Sequence, residues 1–214
     1  MCRLPGLDQW RGLLALLLLL LCLQQAAGAA LIHAKAWLAP VLLEHAWQRT
    51  LSRGGRPQKP WPWADTWPVA RLRAPLQAVD LLVLAGDSGN ALAFGPGHAS
   101  ASAQPGSQGR AVIAGHRDTH FAFLRTLRPG DPLQLQLPRG GVRHYRVAAA
   151  NVVDATQQQL QVDDSGESLL LVTCYPFDAL LSAGSLRYTV SALPSPLLAA
   201  QPAPVPMARQ VFSL

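Results

Sequence analysis

Charge is scarce in this chain of 214 residues: only 14% are Asp, Glu, Lys or Arg, while half are hydrophobic. A disordered chain needs the reverse balance, so one folded domain with appendages is expected. Lysine is absent from residues 69–193, where ten Arg meet nine acids. The formal charge of +6 is concentrated instead in residues 1–68, with seven Lys/Arg against Asp8, Glu44 and Asp65. A nearly neutral body argues against a nucleic-acid partner. Cysteine is rare as well. Cys2, Cys22 and Cys174 cannot make a disulfide framework, and only Cys174 lies in the body of the chain. Tryptophan is missing after Trp67; all six lie between Trp10 and Trp67, so the first third has an environment of its own. There are no internal repeats.

What the N-terminus has in excess is leucine. Gly12 to Ile32 is a stretch of 21 residues without a charge. At about 1.5 Å per helical residue it matches the ~30 Å hydrocarbon core of a bilayer. Arg3 and Arg11 precede it, which favours an N-terminus inside and the remainder exported. An uncleaved signal-anchor over residues 1–32 is expected. A signal peptide cut near Ala27-Gly28-Ala29 is the alternative. Residues 31–52 read as a helix that Pro40 kinks unless a second helix starts there. Its Trp residues suit either a membrane–water interface or packing on the domain. Gly54, Gly55 and the Pro/Trp alternation of residues 60–68 then make a linker, so 33–68 is a helical stalk and linker.

From Val69 the pattern is short apolar runs between turn residues. Strands are expected at Val79 to Ala85, Ala91 to Phe94, Arg110 to Ala114, Leu133 to Leu137, Val142 to Val153, Leu169 to Thr173 and Leu186 to Leu193. Phe121 to Leu127 reads as a short helix or turn. About seven or eight strands at this spacing, with little helix, point to an all-β barrel or sandwich over residues 69–193. Residues 194–214 form a Pro-rich tail.

Three residues at strand ends can carry chemistry. Cys174 closes an apolar strand beside Tyr175-Pro176, at a rim that a substrate can reach. A lone Cys is more often an inert buried residue. Here, however, His116 ends another apolar strand and Arg187 starts the next one. Cysteine catalysis needs a thiolate, a proton donor for the leaving amine and an oxyanion partner, and these three types supply them. His120 lies four residues after His116, a zinc-like spacing on a helix, but no third ligand is near, so no metal or other cofactor is expected. His98 and His144 read as surface or loop residues. Asp118 reads as a turn cap more than as an orienting partner of His116. Asp163, Asp164 and Glu167 read as a solvated acidic loop rather than a calcium site.

The pattern resembles the sortase family of cysteine transpeptidases. The quoted segments are Gly115-His116-Arg117-Asp118-Thr119-His120-Phe121, Leu170-Leu171-Val172-Thr173-Cys174-Tyr175-Pro176-Phe177, and the lead-in Pro60 to Pro68. The first two look like the class D branch, and the lead-in is similar to that of the Gram-negative (class GN) sortases. Leu170 stands where the family's strand has its first Thr. The resemblance implies a closed β-barrel of the sortase type behind a transmembrane helix. It implies cleavage of a C-terminal Leu-Pro-x-Thr-Gly-like sorting signal between Thr and Gly, and transfer of the acyl group to an amine. It assigns Cys174 as nucleophile, His116 as general acid/base and Arg187 as oxyanion or substrate clamp. Thr173 adds a hydrogen bond beside Cys174. Leu160 and Val162, in the loop over residues 154–168, help form the wall for the Leu-Pro part of the peptide. The implied location is the cytoplasmic membrane, single-pass, with the catalytic domain on the extracytoplasmic (periplasmic) side. The partners are an exported protein bearing the signal, an amine acceptor and the membrane. Two other readings remain open, an exported cysteine peptidase and a non-catalytic peptide-binding barrel. Papain-like enzymes place Cys before His, and here His116 comes first.

Overall fold

In the computed structural model the leucine run and the stalk form one helix, α1 (Leu7–Ser52). The structure describes residues 7–157, 166–179 and 184–195. Within α1, Trp10–Ala30 has a mean hydropathy of 2.1 and none of it is buried, so by length and composition it can cross a bilayer. The helix is continuous through Pro40, so no second helix starts there. The reason is packing on both sides of the proline. Ala39, Leu43, Ala46 and Trp47 recur at helical spacing and are all buried. This pins the turn that a missing N–H would otherwise weaken. Of the two readings of the stalk, residues 39–50 pack on the domain, while Trp37 stays 79% exposed. The helix stops where Gly54 and Gly55 take φ of 65° and 87°. The Gly55 N–H then donates to the Thr50 carbonyl at 2.9 Å.

Eight strands follow: β1 (Pro68–Ala74), β2 (Val79–Ala85), β3 (Gly97–His98), β4 (Arg110–Ala114), β5 (Pro132–Gln136), β6 (Val142–Asp154), β7 (Ser168–Cys174) and β8 (Leu186–Pro194). They close into a barrel in the order β1-β2-β3-β4-β7-β8-β6-β5. The expected all-β closed barrel of about eight strands is what forms. Closure between β2 and β4 runs through the two-residue β3, and β4 runs parallel to β7. Alternate residues point inward. Leu72, Ile113, Leu133, Leu135, Tyr145, Leu169, Leu171 and Val190 are fully buried in one core.

Local readings need correcting at four places. Ala91 to Phe94 is not a strand; Gly89–Leu92 forms a short helical turn, α2. The turn Gly89-Asn90-Ala91-Leu92 holds no β-branched residue to favour a strand. β1 was missing from the expected strands because its inward residues include two alanines, Ala70 and Ala74, a weak apolar signal. His98 is buried, not a loop or surface residue, with Nε2 at 2.9 Å from the Ala103 carbonyl. His144 lies within β6 rather than a loop, half-buried and paired in register with Gln134.

Candidate active site

The alternation along β7 fixes which way Cys174 points. Leu169 and Leu171 belong to the barrel core, whereas Leu170 and Val172 pack with Val112 in a small cluster on the other face. Cys174 falls in the second set, so its thiol lies on the outer face at the strand end. β4 obeys the same rule: Ala111 and Ile113 face in, and Val112 faces out. Ala114 is level with Val172, and the Gly115 N–H donates to the Val172 carbonyl at 3.1 Å. His116 comes two residues further on, past the end of β4, where the same register continued would set it level with Cys174. On the other side, Arg187 is the register partner of Cys174. Residues directly opposite share a face. Cys174 and Arg187 thus sit side by side on adjacent strands, and the β4–β7 register carried two residues past Ala114 extends the same row to His116.

Several contacts hold this row. Gly115 has no room for a side chain: a Cβ there would sit 2.8 Å from the ring of Phe121, which is fully buried. Phe121 returns to the strand end through its N–H to the His116 carbonyl, at 3.0 Å. Thr173 is placed on the inner face, 2% exposed, and its hydroxyl donates to the Gly115 carbonyl at 2.7 Å. It ties β7 to the chain leading to His116 from below the row. After Cys174, the Tyr175 N–H donates to the Leu186 carbonyl at 3.1 Å. The Tyr175 ring stacks on Tyr188 at 6.2 Å, and Phe177 meets Tyr188 edge-on at 5.1 Å. The Arg187 Nη1 donates to the Gly184 and Leu186 carbonyls at 2.8 and 2.9 Å. A guanidinium has five N–H donors, and among the described residues those on Nε and Nη2 meet no acceptor, which leaves them for a substrate oxygen.

The remaining sequence candidates fall as follows. His120 sits in the turn 117–120 rather than on a helix, so it does not share a helix face with His116. Burial, and then the positive field of His116, push its imidazole below the ordinary range. The Asp118 carboxylate bonds the Arg117 guanidinium, at 2.9 and 3.3 Å, rather than capping the turn. That hydrogen bond holds its acid below the usual carboxylate range, against a smaller opposing effect of burial. Glu167 is not part of a solvated cluster: its Oε1 accepts from the Tyr145 hydroxyl at 2.7 Å, just before β7 begins. Burial, and then Glu167, keep that phenol well above its usual range. Leu160, Val162, Asp163 and Asp164 lie outside the described residues.

Arg117 was not singled out by sequence. Its side chain is only 4% exposed, and it donates to the Pro176 and Ala179 carbonyls at 2.5 and 2.7 Å. A charged residue directly after a candidate catalytic His was the available sign. A cavity of about 620 Å³ lies away from the row, between the end of α1, Pro68, His98 and Leu137. None of the three row residues lines it.

The chain matches the sortase domain family over residues 72–195. It is 34% identical over 120 residues to Sortase D of Bacillus subtilis (strain 168), a stretch covering 56% of this chain and 60% of that relative. The chain thus spans less than two thirds of the relative's length. Among solved structures, a Clostridium perfringens Sortase D5 transpeptidase is similar with a TM-score of 0.57 at 18% identity, over 72% of this chain and 93% of that one. Sortase A from Corynebacterium diphtheriae gives a TM-score of 0.55 at 24% identity, over 80% and 95%. At those identities the two structures show the shared barrel, and the domain match, which takes in β7, Cys174 and Arg187, carries the assignment further: the chain belongs to the sortase family.

Proposed function

We propose that this chain is a membrane-anchored cysteine transpeptidase. It cleaves a C-terminal Leu-Pro-x-Thr-Gly-like sorting signal between Thr and Gly and passes the acyl group to an amine. The observation that supports this most directly is Cys174 paired in register with Arg187 on one outer face, with His116 two residues beyond the end of the neighbouring β4. An extended peptide laid across the row puts its scissile carbonyl over Cys174. The thiolate sulfur attacks that carbon, and the developing oxyanion is met by Arg187. The C–N bond to Gly breaks, and the leaving amine takes a proton from His116. This leaves a thioacyl group on Cys174. An incoming amine then attacks it, giving its proton to His116 as the thiolate leaves. Family membership and the α1 segment Trp10–Ala30 support membrane anchoring with the barrel outside. Thr173 acts here as a tie between strands rather than as a contact to the peptide. Leu160 and Val162 are kept as the wall for the Leu-Pro part on their sequence position alone. No cofactor enters the reaction.

The test is peptide cleavage by the full chain in detergent. Arg187→Ala should lower turnover by ~10²–10³ if the guanidinium meets an oxyanion. His116→Ala should remove turnover while Cys174 still reacts with a small alkylating agent. Wild-type turnover in either variant would overturn the role given to that residue. A wild-type chain that binds the peptide without cleaving it would favour the peptide-binding barrel instead.

A further inference from the structure

We propose that Arg117 is a positioning residue for the transpeptidase reaction: it locks the turn carrying His116 to the loop that leaves Cys174, so that acid/base group and nucleophile keep one geometry. This rests on the sortase reading of the site.

β4 stops at Ala114 and β7 at Cys174, so His116 lies beyond the paired segment. Strand pairing alone does not hold the two chains together at the level of the reacting groups. Arg117 is in that gap. Its guanidinium is nearly sealed from solvent, at 4% exposure, while the neighbouring Asp118 side chain is 64% exposed. One edge of the fork bonds Asp118 on its own turn. The other donors reach the carbonyls of Pro176 and Ala179, two and five residues after Cys174 in sequence. Those carbonyls belong to the segment that carries Tyr175 and Phe177 onto Tyr188.

Three properties make this a lock rather than an incidental contact. Hydrogen bonds from a charged donor are about twice as strong as neutral ones. A buried guanidinium that loses its acceptors becomes an uncompensated buried charge, so loop and turn resist separation. Only a planar fork serves a carboxylate and two carbonyls at once; a lysine ammonium carries the charge on a flexible stem without the fixed fork. Thr173 and Gly115 already secure the strands inside the barrel. What Arg117 adds lies outside it, where misplacement of about 1 Å costs ~10² in rate.

The experiment compares Arg117→Lys and Arg117→Gln with the wild-type full chain in detergent. Peptide kcat, Cys174 alkylation by iodoacetamide and amide hydrogen exchange are read together. Both variants should lose roughly 10²-fold in kcat, with lysine giving no rescue. Alkylation should stay within about threefold, because the half-buried thiol keeps its place at the same strand end. Exchange should quicken in residues 116–120 and 175–179 while β5 and β6 keep their protection. Wild-type kcat in Arg117→Lys would overturn the role of the fork, and unchanged exchange in 175–179 would overturn the lock itself. Faster exchange throughout the barrel would assign Arg117 to general stability and overturn positioning. If the wild-type chain cleaves no sorting-signal peptide, the sortase reading of the activity fails, while the exchange result still decides the lock.

Discussion

Glycine before the candidate acid/base histidine is a steric requirement at this site. The ring of Phe121 occupies the space that any larger residue at 115 would need. Phe121 is fully buried and cannot swing out, so Gly115→Ala must push either the ring or the His116 backbone. We expect Gly115→Ala to cost about 1–3 kcal/mol in unfolding free energy as overpacking. Peptide kcat should fall further than that stability loss explains. Chemical denaturation beside steady-state kinetics checks both, and full activity in the variant would show that Phe121 yields freely. His116, Cys174 and Arg187 could be singled out from sequence because each stands at the end of a short apolar run, where a polar side chain faces a rim. Arg117 and Glu167 could not be read in the same way. Their acceptors and donors, Pro176, Ala179 and Tyr145, are brought close only by strand pairing between distant segments.

At the scale of elements, α1 is both the apolar N-terminal segment and a docked part of the barrel domain. Two kinds of contact fasten its second half. Glu44 pairs with Arg71 of β1, and Asp80 of β2 pairs with Arg71 and Arg73. Both carboxylates are about half exposed, so each pair contributes no more than ~1 kcal/mol. Leu43 and Trp47 are buried at 3% and 0% exposure, and each fully buried large apolar side chain contributes about 1.5–3 kcal/mol. Apolar packing therefore dominates. The Trp47 Nε1–H is buried with no partner among the described residues, which subtracts from its contribution. Trp47→Ala should cost about 3–5 kcal/mol in denaturant unfolding of the full chain. Trp47→Phe, which also removes the unpaired N–H, should cost less than half of that. Equal costs for the two would mean that the ring is not packed as described. Strands with strong alternation, such as β5, are legible locally. The two-residue β3 and the alanine-rich β1 are not, because their pairing comes from neighbours far away in sequence.

For the whole molecule, the continuous α1 joins the barrel to the apolar segment that would sit in the membrane on the anchored reading. Between Ala30 and Trp37 the helix rises only ~10 Å, about the depth of a headgroup layer. Near that level Trp37 is 79% exposed and Trp63 82% exposed, beside an apolar groove lined by Leu38, Leu42, Trp61 and Phe94. Exposed tryptophans next to a span suit the interface. A photoreactive benzoylphenylalanine replacing Trp63, in full chain held in lipid nanodiscs, should form lipid adducts by mass spectrometry. The same group at Leu76, also exposed, should form none. Adducts at Leu17, inside the Trp10–Ala30 segment, without adducts at 63 would keep the anchor and remove the interfacial contact. Barrel closure itself was legible only as a class, from strand number and spacing. The order in which strands meet, with β4 beside β7, brings the strand that leads to His116 alongside the strand that ends at Cys174, and no local pattern contains that order.

The claim that organises the account is that Cys174 forms a thioacyl intermediate with a sorting signal. Full-length chain should be mixed with a Leu-Pro-x-Thr-Gly peptide without an amine acceptor, quenched in acid and weighed intact. The account predicts a mass gain equal to the acyl fragment ending at Thr, mapped to Cys174, released by hydroxylamine and absent from Cys174→Ala. Cleavage of the peptide by Cys174→Ala at the wild-type rate, or an acyl group mapped to another residue, would contradict it.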